Sequence, residues 1–187
     1  RLGETREQLA ELADMGLVAR HPVTAAELAL ARGRLLLASD GHDEAIEDLA
    51  QAVAAADDAG LCVLARQLQA CLGEALALAG DPVRGGRASD QAVRGLSAMG
   101  HLPALAEACA ARLRGQRERI DPAVSFQPVM SWIQEQPVRL LRMEYLLAVA
   151  EHTAARGDGR RAHYAYEEAR ALLDEITAIQ SEEIQAA

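Results

Sequence analysis

Aromatic residues are scarce in this sequence. Phe, Tyr and Trp make up 3% of its 187 residues, with one Trp and one Phe. The β-branched and aromatic side chains that pleated strands favour are therefore in short supply. Ala and Leu provide most of the apolar content. Both are strong helix formers, and small alanines let helices approach closely. The composition points to an all-α protein.

Cysteine is also sparse. The chain has three, Cys62, Cys71 and Cys109. That odd, thin set excludes a dense disulfide framework and suggests free thiols in a reducing compartment. The spacing of Cys62 and Cys71 suits no metal, so all three are expected to pack as small hydrophobes. No apolar run approaches the length of a membrane span, and no basic-then-apolar leader opens the chain. The expectation is a cytoplasmic protein. Positive charge is short as well: 19 Lys and Arg stand against 28 Asp and Glu, a net −9. This argues against nucleic acid and against anionic membranes as partners of this segment. Two arginine groups, Arg112, Arg114, Arg117 and Arg119, and Arg156, Arg160 and Arg161, are read as solvated helix ends.

Catalytic signatures are missing too. Gly85-Gly86 lacks the Lys-Ser/Thr that follows a phosphate loop, and no HExxH, CxxC or EF-hand pattern occurs. The histidines His21, His42, His101, His152 and His163 are scattered. Glu151-His152 and His163 could approach on neighbouring helices, but no third ligand has helical spacing, so surface or packing roles are expected. With no nucleophile, base and orienter to name, neither an enzyme nor a cofactor site is expected.

What the sequence does contain is helical periodicity from end to end. A first helix is expected over 4–18, closed by Arg20-His21-Pro22-Val23. Thr24 then reads as an N-cap with Glu27 as its capping-box partner, opening a helix over 25–38. Ser39-Asp40-Gly41 is a turn, with Gly41 suited to a left-handed C-terminal position. Helices follow over 43–58 and 61–79. Asp81-Pro82 opens another as cap and first-turn proline, which ends near Gly100. A further helix covers 102–119. Between Pro128 and Pro137 a short or broken helix is expected, because proline inside a helix removes a bond. Long helices follow over 138–156 and 160–179, with an acidic tail that frays. The total is about nine.

A repeat lies over this periodicity. Gly33 is followed by Ala45, Leu49 and Ala52. Gly73 is followed, at the same offsets, by Gly85, Ser89 and Ala92. Ala150 is followed by Ala162, Tyr166 and Ala169. A degenerate copy anchored near Ala111 gives Ala123, Gln127 and Met130. Small residues facing each other let two helices cross closely, and one such pair cannot bury its apolar face alone, so pairs stack. The pattern resembles the tetratricopeptide repeat (TPR), in a long form with a period near 40. Similar long repeats occur in maltose-regulator-type bacterial transcription activators, in related signalling ATPases and in bacterial proteins joined to caspase-like domains. The aromatic residues usual at the fourth and eleventh motif positions are replaced here by Ala29 and Leu36, and by Gln69 and Leu76.

The resemblance implies a right-handed α-solenoid of antiparallel helix pairs forming one domain over 1–187. Clear repeats would cover 24–60, 61–100 and 138–180, a degenerate one 102–136, and a half repeat 1–20. A generic α-solenoid or an irregular helical bundle is the rival. The half repeat suggests a piece of a longer array, and Leu9, Leu12 and Leu17 at its open end suggest self-association. The resemblance also implies a concave groove for a protein or peptide. Its motif positions fall on Glu27, Leu30, Arg34 and Leu37; on Gln67, Ala70, Glu74 and Ala77; on Leu105, Ala108 and Arg112; and on Glu144, Leu147, Glu151 and Ala154. The charges Arg34, Glu74, Arg112 and Glu151 could clamp a peptide of mixed charge or pair with one another. Trp132 is a second candidate hot spot, or a filler of the degenerate repeat. The expected function is a protein-interaction scaffold. The alternative is a sensor or regulatory module of a larger bacterial signalling protein or transcriptional regulator.

Overall fold

The computed structural model describes residues 21–116, 127–135 and 138–186. Among them are eight helices and no strand: α1 Pro22–Ala38, α2 His42–Asp58, α3 Cys62–Leu78, α4 Pro82–Met99, α5 Leu102–Gly115, α6 Gln127–Glu135, α7 Arg139–Ala155 and α8 Gly159–Ala186. The count expected from the sequence was about nine. The first of those, over 4–18 and carrying Leu9, Leu12 and Leu17, lies outside the described residues, as do Arg117 and Arg119.

The helix ends show how local chemistry sets the elements. Pro22 stands at the first position of α1, where a missing N–H costs nothing, and His21 is the N-cap. The expected cap at Thr24 is therefore corrected: the proline starts the helix three residues earlier, nearly a full turn. Asp81 caps α4 as expected, its Oδ1 accepting from the Arg84 N–H at 3.0 Å. His101 caps α5 less usually, its Nδ1 accepting from the Ala104 N–H at 3.3 Å. The turn after α1 departs from expectation. Asp40, not Gly41, takes the left-handed conformation, with φ 57°, while Gly41 has φ −82°. Asp tolerates that region better than most side chains, so the glycine is not required there. The last helix continues to Ala186 instead of fraying after 179. No Pro or Gly follows Gly159, and the tail residues favour helix.

Turns of two or three residues reverse the chain, so consecutive helices pack side by side in opposite directions. The pairs α1–α2, α2–α3, α3–α4, α4–α5 and α7–α8 are in contact. Alternate helices also touch: α1 with α3, α3 with α5, and α5 with α7. Thus α1, α3, α5 and α7 form one row, with α2, α4 and α8 packed against it. The short α6 touches α5 and α7 only lightly.

Small residues permit the closest crossings. At α3–α4, Gly73 meets Gly85 and Ser89, and all three are buried. At α1–α2, Gly33 lies under the Leu49 side chain. Leu49, Leu68, Leu96 and Leu113 are almost completely buried, each stabilising the fold by about 1.5–3 kcal/mol relative to exposure. One core joins α1, α2 and α3, and a second runs from α3 to α7 and takes in Val129 and Ile133 of α6. On α8 the buried stripe is Ala162, Ala165, Ala169 and Leu172. Tyr166, at the repeat position that Leu49 and Ser89 fill with buried side chains, is exposed. Its place on the inward face is taken by Ala165, one residue earlier on the helix. Cys71 and Cys109 are buried as expected, but Cys62 at the start of α3 is exposed.

Candidate functional site

The inner row of helices frames a cavity of about 650 Å³. Leu37, Leu78, Leu113 and Leu147 give it apolar walls, and alanines such as Ala110 and Ala148 keep it open. Its polar lining is Arg34 of α1, Glu74 of α3, Glu107 and Arg114 of α5, and Glu144, Glu151 and His152 of α7. A smaller cavity of about 20 Å³ continues along the same row past Leu30, Gln67 and Ala70.

These polar groups are held by one another. The Arg114 guanidinium donates twice to Glu74, from Nε to Oε1 at 2.6 Å and from Nη2 to Oε2 at 2.9 Å. Glu74 is only 5% exposed, and a buried carboxylate needs such a partner. Burial by itself would lower the Arg114 pKa. The hydrogen bond and charge of Glu74, with the charge of Glu151 added, outweigh it and raise the value. Glu107 accepts at one oxygen from Arg34 Nη2 and from Gln67 Nε2, both at 2.7 Å. Both arginines of the cavity therefore already face carboxylates of the protein.

The carboxylates of α7 differ. Glu144 and Glu151 are exposed, seven residues apart on one helix face with Leu147 between them. Glu151 feels Arg114 only through its charge, and Glu144 has no ion-pair partner among the described residues. The cavity lining holds two arginines against four glutamates, an acidic balance.

The groove positions expected from the sequence are partly gathered here. Arg34, Glu74, Glu144 and Glu151 line the larger cavity with Leu37 and Leu147, and Gln67 lines the smaller one with Leu30 and Ala70. Glu27 is exposed on α1 and lines neither. Arg112 turns away and pairs with Asp90 of α4. Its neighbour two residues on, Arg114, takes the inward place. Neither is the solvated helix-end cation that the charge run suggested. Trp132 of α6 is half-buried, packed with Met130 against the larger core. His152 is 2% exposed, with Nδ1 at 3.2 Å from the Leu113 carbonyl, whereas His163 is exposed on α8. Among the described residues no three His, Cys, Asp or Glu side chains converge as metal ligands, and no helix is long and apolar enough to cross a membrane.

Sequence reasoning missed Glu107 and Arg114. A usable signal existed: they stand 40 residues after Gln67 and Glu74, the residues they bond. Anchoring α5 at Ala111 placed its register two residues too early. Comparison with known proteins finds no family description, no curated relative and no solved structure that matches this chain.

Proposed function

We propose that this chain is a non-catalytic interaction module of TPR-like, right-handed solenoid architecture, which holds a peptide or an extended partner segment along α1, α3, α5 and α7. The observation that carries the reading is the cavity itself. It is shared by four helices, has apolar walls, and is edged by charged groups that fix orientation. Three features support the architecture: the alternate helices in contact, the glycine crossings at Gly33 and Gly73, and the 40-residue spacing of the bonded pairs Gln67–Glu107 and Glu74–Arg114. Cross-helix ion pairs such as Arg32–Glu44 and Arg66–Asp57 hold neighbouring helices in register on the outside. Each contributes little alone.

Blocking the cavity tests the reading. Ala155 lines it and is exposed, so Ala155→Trp should fill it without disturbing the core. Peptides selected by display on the wild-type chain should lose at least about tenfold in affinity for this variant, a change of ~1.4 kcal/mol. Equal binding to both proteins, with matching circular dichroism, would place the binding surface elsewhere. The cavity volume also favours a second reading, a sensor module, because it lies in the range of small-ligand sites. A metabolite screen by thermal shift separates the two: a stabilising small molecule whose effect Ala155→Trp abolishes supports the sensor.

A further inference from the structure

We infer that the segment bound in this cavity is basic, carrying two Lys or Arg side chains about 10 Å apart with an apolar residue between them. The inference rests on the reading of the cavity as a peptide groove. It starts from the charges that the fold leaves unanswered. Arg34 and Arg114 are both engaged, by Glu107 and by Glu74. A carboxylate on an incoming chain would find both arginines already neutralised in a lining that carries four glutamates, and drawing Arg114 away would strand a buried Glu74. A cation displaces nothing. It meets Glu144, which has no partner among the described residues, and Glu151, which has only the distant charge of Arg114.

The geometry sets the spacing. Glu144 and Glu151 are separated by two turns of α7, about 10 Å at ~1.5 Å per residue. A polyproline II segment rises about 3.1 Å per residue with three residues per turn, so basic side chains three residues apart share one face at about 9 Å and match the two carboxylates. Of the two residues between them, an apolar one meets the leucines of the lining, Leu147, Leu37 and Leu78. Charged contacts at this spacing with apolar contacts between them fix the register of a polyproline II ligand. The acidic balance of the whole chain, net −9, favours approach of a cationic partner in the same sense.

A positional-scanning library of nonapeptides, applied to the immobilised full chain, tests this. Lys or Arg should be enriched at two positions three apart, with Leu, Ile or Met between. In Glu144→Gln/Glu151→Gln, both changes at exposed positions, that preference should disappear, and affinity for the best basic peptide should fall on the order of fivefold, since exposed pairs are individually weak. The sequence contains no lysine, so carbodiimide coupling to a Lys-containing peptide consumes no internal lysine amine and should map to Glu144 and Glu151. Enrichment of acidic or neutral peptides, or a basic preference untouched by the double change, would overturn the inference while leaving the groove standing. Absence of enrichment for any peptide class would overturn the groove reading and the inference with it.

Discussion

Two adjacent glycines of α4 should respond to the same substitution with opposite signs. A Cβ at Gly85 would lie 2.6 Å from the Gly73 carbonyl oxygen, 2.8 Å from the Ala77 nitrogen and 2.9 Å from the Ala77 Cβ, where ordinary contact begins at 3.4 Å. Two of these atoms are backbone and the third is fixed to it, so no rotamer change relieves the clash. The α3 and α4 helices must separate, loosening Ser89 at the crossing and Ala92 and Leu96 in the core beyond it. Overpacking of this kind costs about 1–3 kcal/mol. Replacing a helical Gly by Ala returns about 1 kcal/mol. The rigidity of the obstacle sets the cost at the upper end, so Gly85→Ala should lose about 2 kcal/mol net. At Gly86 the new Cβ meets only the amide end of Gln116, which can swing aside. Gly86→Ala should therefore keep the helix-propensity gain of up to ~1 kcal/mol. For a chain of this length ~1 kcal/mol moves Tm by roughly 2–4 °C. Thermal unfolding followed by circular dichroism should show a fall of about 4–8 °C for Gly85→Ala and a rise of about 2–4 °C for Gly86→Ala. A Gly85→Ala protein as stable as the wild type would refute the close crossing.

Other outcomes follow from the buried groups. Arg114→Ala leaves the Glu74 carboxylate buried and unpaired; because the guanidinium is a third exposed, the loss should be about 2–4 kcal/mol, below the full cost of breaking a deeply buried pair. Urea denaturation of Glu74→Leu/Arg114→Met should recover most of that, and simple additivity of the single losses would contradict the pairing. Burial pushes the Cys71 thiol, helped by the charge of Glu74, and the Cys109 thiol up from 9.0 to about 12. The folded state then keeps protons that the unfolded state has released. Stability should be fully present below pH 9 and decline toward pH 12, by about 1.4 kcal/mol per pH unit for each thiol. Cys71→Ala/Cys109→Ala should flatten that slope, and an unchanged slope would assign the alkaline loss to other groups. A thiol reagent at pH 8 should modify exposed Cys62 quickly and the other two only after denaturation, because the reactive species is the thiolate; three fast thiols would contradict the burial.

The helical elements were legible because their causes are local. Asp81-Pro82 marks a helix start in four residues of sequence, and the structure uses it so. Pro128 and Pro137 announced a short helix, and α6 spans nine residues, with Pro128 in its first turn. Errors arose where two residues could satisfy one rule. Asp40 and Gly41 both tolerate a left-handed turn, and the helix closes on Asp40, whose N–H reaches the Leu37 carbonyl while that of Gly41 reaches Leu36. The candidate site was legible in part. Arg34, Glu74, Glu144 and Glu151 share the face that helical spacing gives them. Arg112 does not, because its charge partner Asp90 lies on α4, 22 residues back in the chain.

By itself, then, the sequence determined that the chain is helical, where most helices begin and end, and that Gly33 and Gly73 stand at two of the crossings. Those properties depend on backbone propensity, caps and spacing within one or two turns. Only the tertiary structure decided which charges meet. The rotation of α5 about its own axis sends Arg114 inward to Glu74 and Arg112 outward to Asp90. In that orientation α5 buries Cys109 and Leu113 in the core it shares with its neighbours, and Glu144 and Glu151 stay as the open carboxylates of the cavity.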